Sequence, residues 1–275
     1  MRYAFMTFST PDMSLDELIR FTADTGYDGV ELRVEAKHRH GVELSTSAAE
    51  RAAIRQAAID GGIAWACIAT SAKYLQAEQK QQHIDDTLRY IELAKDIGCP
   101  SLRVFGAGSG DKHERRSEAQ REELAGALSA VAKDAEAAGV TICLETHDLW
   151  CNAHDVADVL KAVDSPAIAC NWDFSHCHRV CGQSVEMSYA TLKPWIKHVH
   201  MHAGYADGDK FTFVPFGDER NEWDHDVALK LLIEGGFDGY MSGEWLGQWS
   251  DPHTELPREL ASIKAMEAKA REALV

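Results

Sequence analysis

A chain of 275 residues with 44 acidic against 28 basic side chains has a formal charge of -16, which repels nucleic acid and anionic membrane surfaces at long range. No apolar run approaches the roughly 18 to 20 residues of a membrane span, and the opening MRYAFMTFST reads as a strand rather than a basic leader. A small-molecule partner and a cytoplasmic location are the expectation, and seven cysteines scattered without paired spacings fit a reducing compartment with no disulfides.

Short apolar runs alternate with longer helical patterns along the whole chain. The runs end in order at Phe8, Val34, Thr70, Gly106, His147, Asp173, His202 and Trp245. Between them, Ile84, Leu88 and Ile91 mark one buried helical face, and Leu124, Leu128, Val131, Ala135 and Ala138 mark another. Glycines at Gly26, Gly61-Gly62, Gly98, Gly139 and Gly235-Gly236 stand where helices stop. Two helix-to-strand turns echo each other, Gly26-Tyr27-Asp28-Gly29 and Gly236-Phe237-Asp238-Gly239. Eight βα units predict an α/β fold, a single (β/α)8 TIM barrel over residues 1–275. A dinucleotide fold is disfavoured. The glycines Gly106, Gly108 and Gly110 follow a strand, but the segment after them is charged and too long to start a pyrophosphate-cradling helix. Residues 203–224, with Gly204, Gly208, Phe211, Phe213, Pro215 and Phe216, form the longest connection and are expected to be a lid loop over the barrel mouth.

Parallel barrels place their chemistry at the C-terminal ends of the strands. Glu145, Asp173, His200 and Glu244 occupy such ends on four successive barrel strands. Three carboxylates and an imidazole make an oxygen-rich set suited to one divalent ion, Mn²⁺ first, with Mg²⁺, Co²⁺, Fe²⁺ and Zn²⁺ also compatible. Without a cation the carboxylates would repel one another and take up protons. Strand alternation puts His147 on the face of Glu145 and His202 on the face of His200, one layer higher, where a substrate would lie. His176, three residues after Asp173, reaches the same space, and Arg103, Lys73 and Trp245 are further candidates for substrate contact. Lys73 and Trp245 could equally cover the rim, Arg103 and Glu31 could pair with buried charges, and His198 reads as structural. The His176-Cys177-His178 run with Cys181 lacks the second ligand pair of a zinc knuckle. Pairing of subunits through outer helices, as a dimer or tetramer, is left open by the helix faces.

The segments Leu102-Arg103-Val104-Phe105-Gly106, Leu144-Glu145-Thr146-His147, Trp172-Asp173-Phe174-Ser175-His176, Lys197-His198-Val199-His200 and Gly243-Glu244-Trp245 resemble the xylose isomerase-like TIM-barrel superfamily of sugar isomerases and epimerases. The resemblance implies that Glu145, Asp173, His200 and Glu244 are metal ligands and that His176 touches substrate. It further implies acid/base roles for Glu145 and Glu244, as in the ketose 3-epimerases, acting through an enediolate of a polyhydroxy ketone, aldehyde or keto acid. The same segments resemble the 3-dehydroshikimate dehydratases of that superfamily, which would give His147 the acid/base role; where those enzymes carry a lysine, however, this chain has His202. An AP endonuclease would need histidines where Ala69-Thr70-Ser71 and Phe105-Gly106-Ala107 stand, and its DNA substrate is opposed by the charge. A sugar-binding barrel without catalysis would not need so complete a ligand set.

Overall fold

In a computed structural model, which describes residues 1–207, 210–245 and 251–274, these patterns become ten strands and nine α-helices. The strands are β1 (Arg2–Met6), β2 (Gly29–Arg33), β3 (Ala64–Lys73), β4 (Ser101–Phe105), β5 (Thr141–Glu145), β6 (Ile168–Asp173), β7 (Ile196–Met201), β8 (Ala203–Asp207), β9 (Lys210–Val214) and β10 (Tyr240–Gly243). Eight of them close into a parallel barrel in the order β1-β10-β7-β6-β5-β4-β3-β2, the TIM-barrel architecture, with helices packed outside. Among the described residues no helix is long and apolar enough to cross a membrane.

Local chemistry sets the helix ends. Ser14, Ser47 and Ser117 each cap a helix and bond reciprocally with Glu17, Glu50 and Gln120, satisfying backbone donors that the first turn leaves open. Gly26, Gly98 and Gly139 close their helices in the left-handed conformation, as their positions predict. At the other two stops the second glycine, Gly62 or Gly236, takes the positive φ.

Strand ends at the mouth differ from the sequence expectation. β6 ends at Asp173 as read, but β1, β5 and β10 stop two residues before Phe8, His147 and Trp245, and β2, β4 and β7 stop one residue early. Single-turn 3-10 segments at Thr7–Ser9 and Asp148–Trp150 take over where the polar rim begins. β3 instead runs past Thr70 to Lys73, with a register shift between Ala69 and Lys73.

The connection 203–224 is not a simple loop. β8 and β9 pair antiparallel from Ala203↔Val214 to Asp207↔Lys210, and Gly208 lies outside the described residues. Phe211 and Phe213, two residues apart on β9, carry the strand signal within this segment. Gly204 is required here, because a Cβ at that position would meet the Phe211 ring at 2.2 Å and Thr212 O at 2.7 Å.

One irregularity decides which side chains enter the barrel. β6 and β7 pair Cys170↔Ile196 and then Asn171↔His198, so Lys197 is skipped and exposed. A bulge of this kind inverts the facing of everything after it. It brings His198 and His200 to the interior, with His200 opposite Asp173.

Candidate metal centre

Asp173 closes β6 and caps the following helix, Phe174–Cys181. Its Oδ1 accepts from the Ser175 and His176 amides at 3.0 and 3.2 Å and from Ser175 Oγ at 2.5 Å. Oδ2 lies 3.1 Å from His202 Nε2. Burial alone would raise this carboxyl, but His176, His202 and these hydrogen bonds outweigh it and hold the pKa well below the usual carboxylate range.

Glu145 ends β5 one strand away, fully buried, with Arg103 Nε 3.2 Å from its Oε2. His200 stands among three carboxylates: Nε2 lies 3.0 Å from Glu31, while Nδ1 lies 3.0 Å from Glu145 and 3.3 Å from Glu244. Carboxylates can only accept, so both ring nitrogens donate and the ring is an imidazolium. Burial opposes that charge, yet Glu31, Glu145 and Glu244 raise the pKa well above the ordinary histidine value. Glu244 shows the converse: burial would raise it, and His200, Arg103 and His147 bring it down to about 2.

Glu145, Asp173, His200 and Glu244 are thereby brought together, each offering a donor atom within 4.8 Å of every other, all four buried. The donor set fits a divalent cation on its own chemistry. Three carboxylates converge on a site where, apart from the guanidinium of Arg103, the positive charge is an imidazole proton that a metal could replace.

The other candidates fall into two groups. His147 faces the site: its ring lies 4.5 Å from that of His176 and 4.9 Å from that of Phe105, and Nδ1 is 2.9 Å from Asp148 Oδ1. Burial would lower its pKa, but Glu145 and Asp148 raise it. His176 donates from Nδ1 to Thr146 O at 3.1 Å, and burial pushes it down to about 4, so its Nε2 lone pair is open to accept. Arg103, 2 % exposed, donates to Thr70 O at 3.0 Å and pairs with Glu145, while Lys73 stands half-buried at the end of β3. His202 and Trp245 do not stand free in the mouth. His202 is held by Asp173 and Ser175 and packs beneath Phe211 and Phe213 at 5.9 and 5.1 Å. Trp245 is in the outer core: alternation turns Glu244 inward and the indole outward, over Gly243 and against Phe216.

His198 is buried, with Nε2 donating to Glu31 at 3.0 Å, the kind of pairing expected of a structural histidine. Glu31 thus holds two imidazoles at once. Arg33 and Asn171 went unremarked in the sequence, although each stands two residues along a strand from a recognised candidate, Glu31 and Asp173. Alternation places both inside the barrel.

A family model described as xylose isomerase-like TIM barrel matches residues 19–266. A search of curated proteins returns no match. Among solved structures, an L-ribulose 3-epimerase superposes with a TM-score of 0.79 at 19% identity, covering 99% of this chain and 96% of the other. The probable 3-DHS dehydratase AsbF of Bacillus anthracis gives 0.77 at 20% identity over 97% and 98%. A Mycobacterium smegmatis barrel solved in complex with magnesium gives 0.75 at 16% over 100% and 98%. At such identities these likenesses speak for the fold. The match of the family model over most of the chain makes this protein a member of the xylose isomerase-like TIM barrel family.

Proposed function

We propose that the protein is a divalent-metal-dependent isomerase or epimerase of a small polyhydroxy carbonyl compound. The observation that carries this reading is the buried cluster of Glu145, Asp173, His200 and Glu244 at the C-terminal mouth of the barrel. These four residues would hold the ion, and a divalent cation there supplies Lewis-acid polarisation of a carbonyl and its neighbouring hydroxyl. Glu145 and Glu244 come from β5 and from the end of β10, two strands that are not neighbours in the barrel. One would take the proton from a carbon beside the carbonyl and the other would return a proton to the opposite face. Arg103 orients Glu145 through Oε2, and His176, fixed by Thr146, presents an acceptor to a substrate hydroxyl. The β8–β9 hairpin acts as a lid that keeps water from the mouth, its Phe211 and Phe213 already packed over His202.

Glu31 is the positioning residue beneath this cluster. By accepting from His200 Nε2 it keeps a proton on that nitrogen, so that Nδ1 is the nitrogen presented to the ion. Glutamine keeps one accepting oxygen but loses the negative charge that favours a proton on His200 Nε2, and it sets an NH2 donor against the imidazole N–H groups. Glu31→Gln is expected to weaken Mn²⁺ binding by about 10- to 100-fold, read by calorimetric titration; unchanged affinity would remove Glu31 from this role.

The reaction class is tested by proton NMR of the Mn²⁺-loaded, then Mg²⁺-exchanged protein in D2O with ketoses, aldoses, inososes and 3-dehydro acids. Deuterium entering beside the carbonyl, with an isomerised or epimerised product, is the expected result. The second reading, a dehydratase, is favoured by His147 facing Glu145 and His176. It predicts loss of water to an alkene or aromatic product instead.

A further inference from the structure

The barrel mouth is electrically divided. Four consecutive strands around the barrel, β5, β6, β7 and β10, carry the metal-type cluster at their ends, whereas the next three, β4, β3 and β2, carry Arg103, Lys73 and Arg33 within their last three residues. In a chain of charge -16, three adjacent cations at the rim of a buried site ask for an explanation.

The two guanidiniums are fixed by the end of β3. Arg33 donates to Ala69 O at 3.1 Å and to Ser71 Oγ at 2.5 Å, and Arg103 donates to Thr70 O at 3.0 Å. Aromatic rings support them: Arg103 Cζ lies 4.1 Å from the centre of the Phe105 ring, Arg33 Cζ lies 5.7 Å from that of Phe8, and Lys73 Nζ lies 5.9 Å from that of Phe105. Neutralisation is incomplete. Arg103 has Glu145, but the carboxylate nearest Arg33, Glu35, is 3.8 Å away and its Oε2 already accepts from the Ser71 amide at 2.7 Å. Lys73 makes no ion pair among the described residues and lines an open cavity of about 570 Å³ with Gly108, Gly110 and Asp148. Burial and then the charge of Arg103 lower the pKa of Arg33, the signature of two like charges held close.

A site that only bound neutral hydroxyls would not hold like charges together in this way. Planar guanidiniums with free N–H edges bind carboxylate or phosphate through paired, charge-assisted hydrogen bonds. We propose that Arg33, Lys73 and Arg103 form a wall that receives an anionic substituent, carboxylate or phosphate, so that the substrate is an acidic polyhydroxy carbonyl compound rather than a neutral ketose. This rests on the function proposed above. The substrate then spans the mouth from the anionic group on the β2–β4 side to the reacting carbon between Glu145 and Glu244.

The test compares D-fructose, D-fructuronate and D-fructose 6-phosphate, one carbon skeleton with no anion, a carboxylate or a phosphate, by deuterium exchange on the Mn²⁺-loaded protein. Wild type is expected to favour one anionic member by at least about tenfold in kcat/KM, the effect of a charge-assisted hydrogen bond. That preference should fall about tenfold, through KM, in Arg33→Gln and in Lys73→Gln. The second variant alters a half-buried side chain that makes no hydrogen bond among the described residues, so it folds as wild type does. Whichever member is favoured identifies the anion. Fructose turning over as well as both acids, or a preference that survives in both variants, overturns the proposal. Calorimetric titration with D-gluconate, which has no ketone to react, and with inorganic phosphate separates this idea from the reaction. If anion binding weakens in both variants while no compound exchanges deuterium, the wall stands and the isomerase reading falls. If fructose alone exchanges and neither anion binds, the reverse holds.

Discussion

Turnover is expected to fall by about 10²- to 10⁴-fold in Glu244→Gln, the range for loss of a positioned proton-transfer group, with the barrel still folded. Glutamine keeps the shape of the side chain and one accepting oxygen, so packing at the end of β10 is retained. What it loses is the ability to hold and release a proton and the negative charge that faces His200 at 3.3 Å. Rates of deuterium exchange into substrate, set beside the circular dichroism melting curve, separate the two effects. Wild-type exchange in this variant would remove Glu244 from the site. A slow variant whose melting also collapses would indicate that the carboxylate's contribution is electrostatic rather than chemical.

The second large effect is expected in His200→Ala, which removes a ligand and a buried cation together. Stoichiometric Mn²⁺ should no longer be retained through gel filtration, a loss greater than the approximately 10- to 100-fold that a supporting residue costs. Without added metal the variant should also be less stable by roughly 3–5 kcal/mol, because Glu31, Glu145 and Glu244 lose the imidazolium that all three face. Metal analysis and chemical denaturation in the presence of chelator measure the two. Undiminished bound Mn²⁺ would show that the ion, if one binds, is held elsewhere.

The fold was legible because its signals are local. Glycines at helix stops and eight apolar runs each reflect one segment's own chemistry. The four-donor cluster was legible for a related reason: barrel strands end on one side, so polar residues at strand ends must meet. What the sequence did not disclose depends on long-range register. The fate of His202 follows from Asp173 and from the hairpin packed over it, more distant in sequence than any periodicity reaches. Trp245 is adjacent to Glu244 in sequence but opposite in facing, because strand alternation turns it outward. Arg33 carries no local signal, and only the closed ring of strands shows that it shares a rim with Lys73 and Arg103.

The skipped residue on β7 has a consequence for how such a site is gained and lost. His198 and His200 face the interior because Lys197 is surplus to the pairing of β6 with β7. Excision of that one codon would leave a regular ladder, Cys170↔Ile196 then Asn171↔His198, with both imidazoles still inward, whereas ironing out the bulge with Lys197 kept would set Lys197 opposite Asn171 and turn Val199 toward the axis and the imidazoles toward the surrounding helices. Register alone, with every residue of the site still present in the sequence, therefore decides whether such a centre exists.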